Sequence, residues 1–477
     1  MKTRILSICV VVVTLFATAP TVQGKISMPA IFSNHMVLQQ GATIEFWGWG
    51  KPCEWVKVVA SWSPEDTILT RVPSSAIWQV ELITPVAGGT HTISIIEMGV
   101  QTIIEDVLIG DVWLCGGQSN MEWQPCYTIK RGEEARTKAD VPDLRFFHVE
   151  WRPAPYPQED VHGQWLKSSP ETMWKFSAIA YFFGRKIHDE IHIPVGLISS
   201  NWGGSPIEAW IPESYINKDK YLSNAAARLG YFEWAPSETA SLYNGMIAPL
   251  IPLSLKGVLW YQGESNVENS YAYTQMLEGL AKTWRDGFGD FDFYYAQIAP
   301  FGDRNFTDNA EVRDAQRRAH AKIDKSCMVV MSDIGDTTDI HPRNKDWQGE
   351  RFAHAALNLT YGKSEFAAHG PLFSSFEQNG NKVLVNFNHA EQLNCSGNGL
   401  SLFEVEDENG KWHFVSAKII GPKIELSING IATVKNVRFA WNNTSTPGIF
   451  NEKGLPTSCF NTADWMKRNF TIMPWER

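Results

Sequence analysis

The stretch Val107-Leu108-Ile109-Gly110-Asp111-Val112-Trp113-Leu114-Cys115, followed at once by Gly116-Gly117-Gln118-Ser119-Asn120-Met121, decides how the rest of the chain is read. The first nine residues form an almost unbroken apolar run rich in β-branched and aromatic side chains, the pattern of a buried strand. The six that follow are small, polar and flexible. A serine flanked by glycines just past the end of such a strand stands where open α/β sheets hold their ligands, in the crevice beyond the strand ends. A solvated serine in a Gly-rich turn gives the same local text, so later segments must decide.

Downstream of Val107, strands alternate with helical patterns, which predicts a parallel sheet with crossover helices. Ile179, Ala180, Phe183, Ile187 and Ile191 share one face of a helix over Ser177 to Ile191. The strand Val195 to Ile198 follows Pro194, and another runs from Gly257 to Trp260. Tyr273, Met276, Leu277, Leu280 and Trp284 recur at helical spacing. Then come the strand Phe293 to Ile298, a polar helix near Asn309 to Ile323, the strand Cys327 to Met331 and a last helix from about Asp346 to Leu359.

Both flanks have a different grain. Residues 25–105 carry short runs with period-2 alternation, such as Thr43 to Trp47, Trp55 to Val59, Trp78 to Leu82 and Thr90 to Ile95, separated by Gly/Pro/Ser turns. That predicts a small β sandwich. After Gly362 the β character returns at Val383 to Phe387, Leu400 to Val405, Lys423 to Ser427 and Val437 to Trp441. The expected organisation is therefore an N-terminal β domain over 25–105, an α/β domain over 106–365, and a C-terminal β region over 366–477.

Composition excludes several classes. The 477 residues are 44% hydrophobic and 20% charged, an ordinary globular balance. The net charge of −10, with no Lys/Arg run, argues against nucleic acid, which needs a basic face. Residues 1–24 have the form of a secretory signal: Lys2 and Arg4, an apolar stretch from Ile5 to Ala17, and small residues near Gly24. No other segment reaches the ~18 apolar residues of a membrane span, so the expectation is a secreted or periplasmic protein without membrane insertion. The six cysteines beyond the signal are scattered, with no CxxC spacing, so neither a metal site nor a disulfide framework is expected.

Four strand ends stop in polar text: the Ser119 loop, Asn201-Trp202-Gly203-Gly204-Ser205-Pro206, Gln262-Gly263-Glu264-Ser265-Asn266, and Asp333 to Pro342. In a parallel sheet these ends fall on one edge. A hydroxyl, backbone amides, a side-chain amide and an Asp/His pair would converge there, the set that acyl transfer needs. The serine needs an imidazole to take its proton, the imidazole needs a carboxylate to orient it, and the oxyanion needs donors.

On these residues the chain resembles the sialate O-acetylesterase family of the SGNH (GDSL-like) hydrolases. Gly117 to Met121, Trp260 to Asn266 and Asp339-Ile340-His341-Pro342 look like its blocks. Phe32 to Gln39 and Trp47-Gly48-Trp49 are similar to its N-terminal β domain, and Gly454-Leu455-Pro456 to its C-terminal β region. The resemblance implies a three-layer α/β hydrolase fold, Ser119 as nucleophile, His341 as general base and Asp339 as orienting acid. Asp339 stands two positions before the histidine where the wider superfamily often has three, which leaves Glu264, Asp333 and Asp336 as alternatives. For the oxyanion hole it implies the Ser119 amide, a glycine amide from Gly203-Gly204, taken as Gly204, and a side-chain amide, Gln262 before Asn266. Trp202, Trp210 and Trp260 either line a sugar cleft or pack the core. Glu208 is placed with Trp210 and Trp260 among the substrate contacts, and solvation of a helix face is the default reading for Arg313.

The activity so implied is removal of O-acetyl groups from carbohydrate through an acetyl-enzyme, with sialic acid first as the sugar and acetylated xylan, xyloglucan or another glycan as the alternative. No cofactor is implied. A binding protein built on a decayed hydrolase domain is the reading from another class, and the intact Ser/His/Gln set argues against it.

Overall fold

A computed structural model describes residues 26–467. The signal segment 1–24 lies outside the described residues. The centre is a parallel sheet with strand order Ser326–Val330, Asp292–Gln297, Gly257–Tyr261, Val100–Gly117, Val195–Asn201 and Val141–His148, closed on its far edge by the antiparallel strand Trp165–Ser168. The chain builds outward from Val100–Gly117 first on one side and then on the other. That central strand is therefore the switch point, and the crevice beyond its C-terminal end is where such sheets hold ligands.

Alternation explains the three layers. Val112, Leu114, Val258, Trp260, Phe293 and Tyr295 point into a cluster with Tyr273, Leu277 and Trp284 of the helix Tyr273–Phe288. Their neighbours Trp113, Cys115, Leu259, Tyr261, Tyr294 and Ala296 point the other way, against Ile179 and Phe183 of the helix Ala178–Ile191 and Phe352 and Ala356 of the helix Lys345–Leu359. Successive strand residues face opposite sides, so a strand covered on both faces must be apolar throughout. The helix Ala178–Ile191 begins where Ser177 accepts the Ala180 N–H at 3.1 Å, satisfying one of the free donors of the first turn.

The strand Val100–Gly117 is eighteen residues long and belongs to two sheets. Its first half pairs antiparallel with Gly88–Glu97, and Leu108 to Gly110 pair with Val37–Gln39. Its second half pairs with Val195–Asn201 and Gly257–Tyr261. The chain position 105/106, expected to separate two domains, lies inside this strand. The N-terminal strands Thr43–Trp49 and Ile77–Ile83 pair antiparallel, as do Trp55–Ala60 and Gly88–Glu97. The C-terminal region forms two four-stranded sheets around Val383, Val385, Phe403, Ile424, Val437 and Phe439.

The polar helix, Asp308–His320, departs from the expectation of a solvated face. Arg313 is fully buried and donates to the carbonyls of Ser445 at 3.1 Å and Asn442 at 2.5 Å. Asp314, also buried, accepts from Arg317, Arg318 and the Trp465 indole. The C-terminal β region covers this face, and the helix is polar because it bonds that cover rather than water. The six described cysteines form no disulfide.

Candidate active site

Strand register sets the site. Gly117 is the residue opposite both Asn201 and Tyr261, so three strands end at one level. Gly117 has φ of 139°, and a Cβ there would lie 2.1 Å from the Tyr261 carbonyl oxygen. Only glycine permits that approach. The chain beyond these ends delivers Ser119, Gly203, Gly204, Glu264 and, from the loop before the helix Lys345–Leu359, Ile340 and His341 to one cavity of about 530 Å³. Gln118, Phe232, Trp234, Ser265, Val267 and Glu268 complete its lining.

Ser119 opens a single helical turn, Ser119–Glu122. Among the described residues the N–H groups of Ser119 and Gly204 have no protein acceptor, so two residues of the cavity lining carry unpaired donors. The Gly203 N–H is taken: it donates to Glu122 Oε2 at 2.5 Å. Burial pushes the Glu122 carboxyl up, opposed by that hydrogen bond. Gln118 Oε1 accepts the N–H groups of Gly263 and Ser265, both at 3.3 Å, which leaves its Nε2 as a spare donor at the cavity wall. This donor was not foreseen, although it lies inside the decisive motif.

The His341 ring stacks on Trp123, with centroids 4.2 Å apart and planes 24° apart. Burial lowers its pKa, and the nearby cations Lys345 and Arg343 add to this while Asp339 opposes it. The imidazole is accordingly neutral at neutral pH, the form a general base requires. Among the described residues no hydrogen bond joins its ring to Ser119 or to a carboxylate. Asp339 Oδ1 instead accepts the backbone N–H of His341 at 2.9 Å, and Oδ2 lies 3.4 Å from Arg343 Nε. Of the alternatives, Asp333 is held bidentate by Arg351 at 2.6 and 2.9 Å, and Asp336 is turned into its own loop by Thr338. Glu264 lines the cavity, and its Oε2 is enclosed without a partner.

Beneath the cavity floor lies a network the sequence did not reveal. Lys345 is fully buried; its Nζ donates to Asn120 Oδ1 and, at 3.3 Å, to Gln348 Oε1. Asn120 Nδ2 donates to Glu264 Oε1 at 2.6 Å and to the Ile340 carbonyl at 3.1 Å. Asn120 thus ties the nucleophile turn, the Glu264 loop and the residue before His341 to one buried ammonium. Burial pushes the Lys345 pKa down to about 7, against the pull of Glu264, and burial raises the Glu264 carboxyl. A lysine four residues after the histidine reads as an ordinary helix start, and nothing in its spacing marks it as buried.

Four assignments need correction. Gln262 is fully buried, but its Nε2 donates to the Ser205 carbonyl at 3.2 Å and Asn266 Oδ1 at 2.7 Å, and its Oε1 accepts the Tyr273 hydroxyl at 2.8 Å. Both ends of the amide are committed to the fold. Asn266, the second choice, donates to Glu208 at 2.8 Å and Asn269 at 2.9 Å. Glu208, assigned to substrate, is buried and accepts from Asn266 and Asn269. Trp210 and Trp260 are core residues: they meet edge-on at 5.9 Å, and Trp260 meets Trp284 edge-on at 5.6 Å. Trp202 stacks on the exposed Trp151 at 4.8 Å. The aromatic rings that do line the cavity, Phe232 and Trp234, come from a loop with no strand or helix pattern.

A three-layer, mostly parallel sheet with a serine, an imidazole and unpaired backbone amides gathered beyond its central strand has the architecture of a carbohydrate esterase. A family profile described as "Carbohydrate esterase, sialic acid-specific acetylesterase" matches residues 109–358. The chain is 31% identical to the sialate O-acetylesterase of Pongo abelii and 30% identical to that of Homo sapiens, over 86% of this chain and of each relative. It is similar in structure to a carbohydrate acetylesterase from Xanthomonas citri, with a TM-score of 0.83, 29% identity, and coverage of 92% of this chain and 100% of that one. The chain belongs to the sialic acid-specific acetylesterase family of carbohydrate esterases, and it is a carboxylic ester hydrolase. Among the described residues no helix is long and apolar enough to cross a membrane.

Proposed function

We propose that this chain is a secreted or periplasmic serine esterase that removes O-acetyl groups from carbohydrate through an acetyl-enzyme. The observation that carries this reading is the meeting of Ser119, His341 and the unpaired amides of Ser119 and Gly204 in one cavity. Ser119 Oγ attacks the acetyl carbonyl carbon while His341 takes its proton. The carbonyl oxygen gains the negative charge and accepts from the two amides, donors that need no reorganisation at the moment of reaction. Collapse expels the sugar oxygen, which receives the proton from His341. Water then repeats the sequence on the acetyl-serine: His341 takes its proton, acetate leaves, and the proton returns to Ser119.

Asp339 is the proposed orienting carboxylate, acting through its bond to the His341 amide and through its charge, which favours the imidazolium. Glu264 is the second reading, favoured by its enclosed, unpartnered Oε2 at the same cavity. The Ser119→Ala variant should lose p-nitrophenyl acetate turnover by roughly 10⁴–10⁶-fold, the scale for a nucleophile that acts in concert with its base, while keeping its melting temperature. Full activity in that variant sinks the proposal. The larger kcat loss of Asp339→Asn or Glu264→Gln names the orienting group. Secretion is proposed from residues 1–24, and the N-terminus of the exported protein, read by sequencing, tests it.

A further inference from the structure

The turn that carries the nucleophile also carries the ring on which the base rests. Trp123 closes that turn: its N–H donates to the Ser119 carbonyl at 2.9 Å. Its own carbonyl accepts the N–H of Ala178, the first residue of the helix Ala178–Ile191, at 2.9 Å. The backbone beneath the indole is therefore tied on one side to the nucleophile and on the other to a helix packed against the sheet. The indole is braced as well. Tyr127 meets it edge-on at 5.3 Å, and the Arg343 guanidinium lies 5.1 Å from its centroid. Arg343 is held in turn by the carbonyls of Tyr127 and Thr128.

Against this braced ring stands the His341 imidazole, 4.2 Å away between centroids and within 24° of parallel. Among the described residues no hydrogen bond fixes the imidazole ring: Asp339 accepts from the backbone N–H of His341, and Glu264 accepts from Asn120. A side chain held at its backbone alone still turns among its rotamers. A misplacement of ~1 Å at a reacting group costs about 10²-fold in rate. The stacked face of Trp123 is the contact that sets the plane of the ring. The indole Nε1 is enclosed and has no acceptor, so Trp123 is not placed there by a hydrogen bond of its own. What its placement serves is its face.

We infer that Trp123 is a positioning residue for the esterase reaction: its indole face sets the plane of the His341 imidazole and, through the Ser119 turn, keeps the base in register with the nucleophile. In a serine triad a hydrogen-bonded carboxylate orients the imidazole. Here the task is shared, Asp339 bonding the backbone of His341 and Trp123 stacking on its ring. The same face holds the ring more strongly once it carries the serine proton, because the face of an indole attracts a cation. That extra attraction exists in the transition state and not in the resting enzyme, so it lowers the barrier without tightening substrate binding. The inference rests on the serine-esterase reading above and adds one residue to its machinery.

The experiment measures kcat and KM on p-nitrophenyl acetate and the proton NMR shifts of the His341 ring, assigned by their loss in His341→Gln. It does so for the wild type, Trp123→Phe and Trp123→Leu. Trp123→Leu keeps an apolar side chain without a ring face, and should lower kcat about 10–100-fold while changing KM by less than about threefold. Trp123→Phe keeps a face and should hold kcat within about fivefold of the wild type. The His341 ring protons should lie upfield in the wild type and in Trp123→Phe, through the ring current of the stacked aromatic, and move downfield in Trp123→Leu. Trp123→Met, also apolar and without a ring, takes the place of the leucine variant if that one does not fold. Wild-type kcat in Trp123→Leu, equal losses in the Phe and Leu variants, or His341 ring protons that do not move between wild type and Trp123→Leu overturns the inference. Wild type without p-nitrophenyl acetate turnover sinks the esterase reading instead. The ring shifts need no turnover, so the two failures are distinct.

Discussion

Two charge clusters, one half-buried and one enclosed, sit at opposite ends of the central strand's catalytic half, and they work to opposite effect. At the base, Asp106 accepts from His35 at 2.6 Å, from Arg145 at 2.9 and 3.1 Å and pairs with Lys167 at 2.8 Å. Arg145, almost fully buried, also donates to the carbonyls of Pro142 and His35. Burial works against the Asp106 charge, but the hydrogen bonds from Arg145, Lys167 and His35 outweigh it and hold the carboxyl well below its usual range. At the reactive end, Lys345 has only amide oxygens as acceptors, its pKa is pushed down to about 7, and Glu264 keeps an oxygen with no partner. The base is matched for stability. The reactive edge is left short of partners, and such groups cluster where chemistry is done.

The largest effect should come from the base. Arg145→Ala removes one side of a largely buried pair and should cost about 3–5 kcal/mol in urea unfolding, with the specific activity of the folded protein near that of the wild type. A milder loss combined with inactivity would erase the contrast between the clusters.

Lys345→Met is the matching change at the reactive edge. It should lower kcat about 10–100-fold, since the Asn120 bridge that places the His341 loop loses its anchor and small misplacements are costly there. Stability should fall by no more than about 1–3 kcal/mol: Asn120 Oδ1 and Gln348 Oε1 lose their donor, but the buried charge is gone. A second readout separates this from simple distortion. Lys345 contributes, after burial itself, to the lowered pKa of His341. Its removal should therefore move the acid limb of the kcat/KM profile to higher pH. A limb that stays in place or moves down contradicts the electrostatic link.

Gln262→Ala sharpens the boundary between the two kinds of region. Its amide is committed to Ser205, Asn266 and Tyr273, so the change should cost about 1–3 kcal/mol of stability by leaving buried partners unpaired, with less than tenfold loss in kcat. A loss of ~10²–10³ in kcat without destabilisation would restore it as an oxyanion donor.

The smallest effect is one of pH. A carboxyl whose folded pKa lies below its unfolded value of about 3.9 contributes stability above that value and loses it as pH falls toward the folded one. The stability gap between wild type and Asp106→Asn should thus be constant near neutrality and close only below about pH 4. A gap that widens on acidification would mean that Asp106 is not held ionised by its partners.

The sheet is legible because its strands are covered on both sides and so are apolar at most positions, with polar residues mainly at their ends. For the same reason Trp260 could not be assigned: in a strand buried on both faces alternation gives no cue, and a core tryptophan looks like a sugar platform. The helix Asp308–His320 misled in the opposite sense, since a polar face that bonds the C-terminal region has the same composition as one that bonds water. Ser119, Gly204 and His341 line one cavity, the placement expected because strand ends in a parallel sheet share one edge. Gln262 was misplaced because spacing places a residue at the edge without saying where its amide points. Phe232 and Trp234 were missed because their loop has no periodicity to read.

The strand Val100–Gly117 carries a last consequence. The β-rich start of the chain and the catalytic sheet are joined by one continuous strand, bulged near Asp106, instead of a linker. The two parts should therefore open as one cooperative unit, with amides on both sides of position 105/106 sharing a common, slow exchange rate. A cut at that position would divide a strand and leave neither piece with its partner. In evolutionary terms the N-terminal β segment is not a module that can be shuffled away from the hydrolase, because it is the root from which the nucleophile's own strand grows.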